Sequence, residues 1–433
     1  MDMKRFWREL LFWAFVSLFF ILAPILLLTT AGYRYQFGSS RFIQTGVLSI
    51  SAIPRSTDIA VNGKSIGENT PYVLQQLTTA DYHIGLSRDG YHSWEGDVTI
   101  HEGESSFLNN IMLFLDGVPE LITQELIQAI ATHPQDELIA FSTDTGAVTQ
   151  IWLQDLSTGD VELVREQALD VQLQLSWSLE GSYLLINSDE HTLYTKDLEE
   201  IEIDDAGDWE FDPERDHILY QIIDGSTIEL NLDTENLTSV DLTLITSPFS
   251  QPTLELVDNG DNVEIRNVDG ADHELVAVLP HGNYTILEED APYILLSKNG
   301  THLILLDLDT SQIQQLETPA TIWDWNPSTH ELVYSDGHEV NTYEVSNGHT
   351  EFVTRQSDSI ISLHWLPEGE HIILTTDHTI SAVEQFAQAQ QRFTVQLVEQ
   401  SIITQLWLSD DGNDLYYLVE DDSTGLMRLE LRK

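Results

Sequence analysis

Leu10 to Leu28 reads LLFWAFVSLFFILAPILLL, nineteen residues with no charge, and only Ser17 and Pro24 break its apolar character. A helix of that length crosses the roughly 30 Å hydrocarbon core of a bilayer. Beyond it the pattern changes to period two. In Val47-Leu48-Ser49-Ile50-Ser51-Ala52-Ile53 apolar and polar residues alternate, as a half-buried strand requires. Ile59-Ala60-Val61, Tyr82–Leu86 and Val98–Ile100 are further strands. Pro54–Thr57, Asn62-Gly63 and Asp89-Gly90 are turns, and Asn-Gly favours a tight hairpin because both residues tolerate positive φ. Tyr91 and Trp94 are expected to fill a small core.

From residue 116 onward short apolar triplets recur. Trp177, Phe211, Trp325 and Trp365 each precede one by seven residues: Leu184-Leu185-Ile186, Ile218-Leu219-Tyr220, Leu332-Val333-Tyr334 and Ile372-Ile373-Leu374. A polar turn, often with Pro or Gly (Pro213, Pro327, Pro367, Gly181, Gly369), lies between anchor and triplet. Weaker copies start at Thr132 and Leu408, so the anchors are separated by 45, 34, 114, 40 and 43 residues. The long gap holds about three periods and predicts two hidden copies, at Thr253–Asp269 and Asp290–Asp309. A period near forty with three or four short strands per unit is the signature of a β-propeller. Eight blades are expected, seven being the alternative if one weak copy is only a loop. Leu121–Ile127 is expected to supply the strand that the last copy lacks, which would remove an exposed edge.

The fold class is therefore mainly β, with an N-terminal transmembrane helix, a small β module and a propeller. The predicted boundaries are a cytoplasmic tail 1–9, a signal anchor 10–31, a linker 32–44, the β module 45–115 and the propeller 116–433. Lys4, Arg5 and Arg8 precede the apolar run, with Asp2 and Glu9 opposing them, and this modest basic bias favours the N-terminus inside. Trp7, Trp13, Tyr33 and Tyr35 suit the interfacial belts. Thr29-Thr30-Ala31 offers small residues for cleavage, but the apolar core exceeds the length of a signal-peptide core, so an uncleaved anchor is expected. The expected location is the cytoplasmic membrane, single-pass, with the bulk outside. A tail of nine residues is too short for a signalling domain, so any signal would need a membrane partner.

The module resembles the PEGA domain, through Gly46–Ile50, Pro54, Ile59, Val61, Asn62-Gly63-Lys64, Gly67, Thr70-Pro71, Leu77 and Gly90-Tyr91. The eponymous Pro-Glu-Gly-Ala reads Pro54-Arg55-Ser56-Thr57 here. The resemblance implies a small β-sandwich-like fold on a surface-associated, wall-facing or adhesive protein. The repeats resemble TolB-like, WD-related propellers, which implies the fold rather than a function. Trp177, Trp325 and Trp365 are expected to pack between blades, and Trp152, Trp209, Trp323 and Trp407 to be freer to face solvent.

Charge narrows the partners. There are 72 acidic and 18 basic residues, a formal −54, which repels nucleic acid and anionic headgroups and attracts cations and basic proteins. A salt-tolerant surface is the simpler reading. Cysteine is absent, which excludes disulfides and thiolate chemistry. Phosphate loops, nucleophile elbows and dinucleotide fingerprints do not occur. The pairs His101-Glu102, His273-Glu274, His330-Glu331 and His338-Glu339 lack the second His of a helical zinc site. His364, His371 and His378 recur at seven but fall on different strands of one blade. The acidic turns Asp258–Asp261, Asp307–Asp309 and Asp410–Asp414 offer hard oxygens of the kind Ca²⁺ takes, yet none completes a Ca²⁺ loop. No catalytic or cofactor residues are assigned, and Ca²⁺ at these loops is the minor alternative. The leading expectation is a non-catalytic envelope scaffold whose propeller binds a protein or glycan. The alternative is a propeller hydrolase or lyase with its site at the channel mouth. Charged and aromatic residues converging there would favour the enzyme, and apolar or scattered ones the scaffold.

Overall fold

A computed structural model of the chain describes residues 3–30, 32–36, 41–125, 127–169, 173–188, 191–201, 203, 209–212, 215–223, 226–234, 236–240, 254–267, 274–290, 292–310, 312–316, 318–400, 402–409, 411–420 and 425–433. Ala31, 38–40 of the linker, Pro213, Thr253, Asp269, His273 and Asp410, all singled out above, lie outside these ranges.

Helix α1 (Met3–Thr30) carries the apolar run, and Pro24 sits inside it without ending it. None of Leu10–Leu28 is buried against protein, and Phe12, Trp13, Phe19 and Phe20 are all exposed. By length and composition the helix is able to cross a bilayer. The stretch expected as linker contains a hairpin, in which Tyr33–Gln36 pairs with Arg41–Gln44. Two short β-prone runs flank a Gly-Ser-Ser turn signal there, and the runs were too short for alternation to register.

The chain forms two compact units, 1–117 with 386–395, and 118–385 with 396–433. The first unit holds the β module. Gly46–Ile53 is the middle strand of a three-stranded sheet, antiparallel to Tyr72–Leu77 and parallel to Ser105–Met112. A second sheet runs Lys64–Asn69, Asp58–Val61, Ala80–Ser87, Trp94–Ile100. The alternation in Gly46–Ile53 is realised as a burial pattern, and Leu48 and Ile50 meet Ile84, Leu86, Trp94 and Ile100 in one core. Asn62 and Gly63 take positive φ (51° and 73°) at the expected hairpin. Segment 386–395 belongs to this unit although it lies far along the chain. Its Phe393 ring stands 6.0 Å from Trp94, and its Gln390 side chain donates to Asp81 and Thr99 (3.0 and 2.7 Å).

Eight antiparallel sheets make up the second unit among the described residues. They span 127–168, 174–201, 209–240, 254–280, 284–315, 322–355, 360–399 and 403–430. The fourth has three strands, and the last is completed by Glu120–Thr123, which pairs with Gly425–Glu430. The closing strand was expected at Leu121–Ile127, but Ile127 instead opens the first sheet. The two hidden copies are the fourth and fifth sheets. Middle strands such as Glu331–Ser335 and His371–Thr376 are buried along their whole length. A strand so placed has apolar neighbours on both faces, which explains why the triplets do not alternate. Consecutive sheets share their cores. Ala140 and Ile151 of the first pack with Leu184 and Ile186 of the second, and Val333 and Val340 of the sixth with Ile372 and Leu374 of the seventh. Ile127, Ile139 and Phe141 of the first meet Tyr416 and Leu418 of the last, which closes the ring. This is a β-propeller.

First strands of neighbouring sheets lie side by side: Ile127–Thr132 by Gln174–Trp177, Ile322–Asn326 by Ile360–Trp365, and Ile360–Trp365 by Ile403–Leu408. Sheets fanning from an axis approach so closely only at their inner edges, so the first strands line the channel. The anchors pack between sheets as expected. Trp177 Nε1 donates to the Ala131 carbonyl (3.3 Å) and Trp325 Nε1 to Asp290 (2.8 Å), each on the preceding sheet. Trp209 departs from expectation. It is 1% exposed, in a core with Leu185, Leu193 and Leu219, because its position beside the anchor faces the preceding sheet.

His133, next to the weakest anchor, also joins two sheets. Its Nδ1 accepts the amides of Gln135 and Asp136 (3.2 and 2.9 Å), which leaves Nε2 to donate to the Gly181 carbonyl (3.0 Å). The ring stands edge-on to Trp177, with centroids 4.8 Å apart. Burial lowers its pKa, so it stays neutral. Gly181 has φ 80°, and a Cβ there would fall on the His133 ring. Gly181→Ala is therefore expected to cost about 2–4 kcal/mol, from backbone strain and displacement of the imidazole. Urea unfolding checks this, and a variant as stable as the parent would show that the imidazole moves aside freely.

Candidate binding channel

Register sets the channel wall. On most first strands the residue before the anchor stands opposite the middle of the buried triplet, and on the third it stands opposite the last member. The pairs are Ala131 with Ala140, Ser176 with Leu185, Glu210 with Tyr220, Asp324 with Val333, His364 with Ile373 and Trp407 with Tyr416. Glu288, opposite Leu295, takes the same place in the fifth sheet, after a register shift between Ile286 and Glu288. None of these seven is fully buried.

On one side of the ring the position is titratable. Asp324 accepts the Trp365 amide of the next sheet at 2.7 Å. Burial pushes its carboxyl up to about 6, with nearby Glu288 adding to the shift, although the Trp365 and Trp325 amides oppose it. Glu288 is raised by burial and by Asp290, although its surface touches water. A group on a concave wall is both wet and surrounded by protein, so the two observations agree. His364 is lowered to about 4 by burial alone.

The other side is aromatic. A cavity of about 500 Å³ is lined by Gln128, Gln174, Trp177, Glu210, Phe211 and Trp407, among others. A second, of about 510 Å³, shares Gln128 and adds Asp144, Thr404, Gln405 and Glu420. Gln128 Nε2 donates to Asp144 (3.2 Å), tying the two walls together. Among the described residues lining either cavity there is no Lys, Arg or His. Both volumes fall in the range of ligand pockets. A third cavity, of about 280 Å³, lies by the turns of the first and last sheets. Within it Arg428 pairs with Asp414 (2.9 Å), while Asp136 and Arg432 pair with Lys196 and Glu368 outside its lining.

The chemistry weighed in the sequence falls elsewhere. Asp258 accepts the Gly260 amide (2.8 Å), Asp307 those of Asp309 and Thr310, and Asp411 that of Asn413 (2.9 Å), so these acids cap their own turns. No group of three or more His, Asp or Glu is placed to hold a metal among the described residues. His364 lies on the first strand of the seventh sheet and His371 on the second, but His378 sits in the turn after the second rather than on a strand. Of the four tryptophans expected to be freer, Trp407 reaches a cavity wall and Trp209 does so only as a buried ring. Trp152 is held by Thr143 (3.0 Å). Glu210, Glu288 and Asp324 were not singled out in the sequence. Aligning the copies on their anchors would have found Glu210 and Asp324.

Residues 45–111 match the PEGA domain family. A search of the curated proteins finds no match. Among solved structures the chain is similar to the Dos1 propeller, at 12% identity and TM-score 0.49, over 72% of this chain and 96% of that one. It is similar to Sqt1 of Chaetomium thermophilum, at 12% identity and TM-score 0.48, over 72% and 98%. The C-terminal WD40 domain of Sif2 gives 12% identity and TM-score 0.45, over 72% and 98%.

Asp324 generates a pH test. Its folded value of about 6 lies above the unfolded carboxylate value of about 3.9. Its stabilising share is therefore complete below about pH 4 and is lost as pH rises through 6. Asp324→Asn lacks this loss. Between pH 4 and pH 7 the stability of the variant relative to the parent is expected to rise by roughly 2–3 kcal/mol. Paired denaturant titrations at both pH values check this, since His364 and the net charge cancel in the difference. A pH-independent gap would mean that the Asp324 carboxyl titrates alike in the folded and unfolded chain.

Proposed function

We propose that this protein is a single-pass membrane protein of the cell envelope, with its N-terminus inside and its bulk outside, that acts as a non-catalytic binding scaffold. In this reading the segments are a cytoplasmic tail 1–9, an anchor 10–31, a PEGA-like module 45–115 and a propeller 116–433 of eight blades. The apolar helix supports the anchor, the basic residues before it the orientation, and the PEGA match an outward-facing module. The observation that carries the binding role is the pair of channel-side cavities, walled by aromatic, amide and carboxylate side chains of the first strands together with the Asp144 and Glu420 carboxylates at the ends of second strands. The partner is an envelope protein or glycan.

A second reading is a propeller hydrolase or lyase. It is favoured by Asp324 and Glu288, carboxyls biased towards their protonated forms on neighbouring first strands, a pairing suited to general acid–base work. Under it, Asp324→Asn abolishes turnover of a substrate that the parent consumes; under the scaffold reading no such substrate exists and the variant binds its partner unchanged.

Topology is tested by protease treatment of intact cells and inside-out vesicles, with an antibody to the C-terminus. Digestion from the outside of intact cells is expected. Digestion only in inverted vesicles would reverse the orientation and leave a cytoplasmic scaffold.

A further inference from the structure

The two channel-side cavities have a chemical bias. Trp177, Phe211 and Trp407 give the larger one aromatic walls, and the exposed Glu210 adds a carboxylate. Asp144 and Glu420 add two more in the adjoining cavity. Gln128 joins the two, and its amide already donates to Asp144. Indole and phenyl faces attract cations through their quadrupoles. Carboxylates above such faces add to that attraction wherever water is partly excluded. The chain's formal −54 extends the same preference outward by drawing cations towards the ring. A carboxylate- or phosphate-bearing ligand would meet repulsion from Glu210, Asp144 and Glu420, with no basic side chain among the described lining residues to offset it.

We infer that these joined cavities bind a basic segment of a partner protein, an extended peptide whose Lys or Arg side chains enter between the Trp177, Phe211 and Trp407 rings and the Glu210 carboxylate. The inference rests on the binding reading above and chooses protein over glycan within it. Gln128 and Gln174 supply acceptor and donor atoms to the peptide backbone. Asp144 and Glu420 extend the negative wall, so a second basic residue further along the peptide is also met.

The probe is a fluorescein-labelled twelve-residue peptide with Lys at every third position and Gly and Ser between. Its Ser-for-Lys counterpart, spermidine and a neutral chitin oligosaccharide are the comparison ligands. Binding to the full chain in detergent is read by fluorescence anisotropy at physiological salt. Expected is saturable binding of the Lys peptide, none of the Ser peptide, and weak competition by spermidine and by the sugar. Trp407→Ala and Glu210→Gln should each weaken binding by about tenfold, while Trp407→Phe, which keeps an aromatic face, retains most of it. Asp160→Asn with Glu162→Gln, two exposed outer acids, should change it little. Equal weakening by the outer pair would overturn the inference, since the attraction would then be the diffuse field of the protein. Equal binding of the Ser peptide or the sugar would overturn the choice of a cation, and tighter binding of spermidine would make a polyamine the ligand instead. Cross-linking in intact cells separates this inference from the reading beneath it. A partner captured equally by the parent and by Glu210→Gln leaves the scaffold standing and removes the basic segment, whereas no captured partner at all removes the scaffold.

Discussion

Sheets with two apolar faces constrain this molecule more than any other feature. A middle strand such as Glu331–Ser335 is covered on both sides, so its sheet needs a neighbour on each face. A linear stack would leave one bare face at each end. A ring leaves none, and Ile127, Ile139 and Phe141 against Tyr416 and Leu418 is where the two ends meet. The channel follows from that closure: sheets arranged about an axis bring their first strands together, and the residues at one register position then surround a common space. The Trp anchors belong to the same constraint. Trp325 reaches Asp290 and Trp177 reaches Ala131, so each ring seals a seam between sheets.

The first strands serve two demands that pull their chemistry apart. The anchors must be apolar or aromatic to seal the seams, and the residues just before them stand at the wall and are free to vary. Ser176, Glu210, Glu288, Asp324, His364 and Trp407 stand just before the anchor position with five different kinds of side chain. A ring built from near-identical units therefore presents a wall that is titratable on one side and aromatic on the other. The large acidic excess is spread over the exposed surface, but on the wall it acts at short range: beyond the larger effect of burial, Glu288 adds to the rise in the Asp324 pKa and Asp290 to that of Glu288.

Much of the fold was legible because burial on both faces forces unbroken triplets, and the turn before each triplet is marked by Gly or Pro. The fourth and fifth sheets could be counted only from spacing, since their first strands have no Trp: Glu289 stands where Trp325 does, opposite Ile294. The hairpin at 33–44 escaped because four-residue strands carry too little pattern. Trp209 was misplaced because it falls outside the anchor position, although two residues before Phe211 on the same strand it shares the anchor's face. Segment 386–395 gave no signal at all. Phe386-Ala387-Gln388-Ala389-Gln390 reads as an ordinary long loop, and its place beside Trp94 and Asp81 depends on a surface formed some three hundred residues earlier. The candidate site was legible only as residue types, because register converts them into a wall and register needs the pairing of strands.

The strand Glu120–Thr123 that completes the last sheet has a kinetic consequence. Leu121 pairs with Met427, so this ladder joins the beginning of the propeller to its end. Such a distant pairing cannot form until nearly the whole unit has been made and, for a chain delivered across a membrane, moved to its final side. Until then Glu120–Thr123, which is made first, waits as an unpaired strand edge, open to any other β-strand nearby. Assembly of the ring thus finishes with its clasp, and the interval before the clasp shuts is when a chaperone, or a second copy of the chain, would compete for that edge.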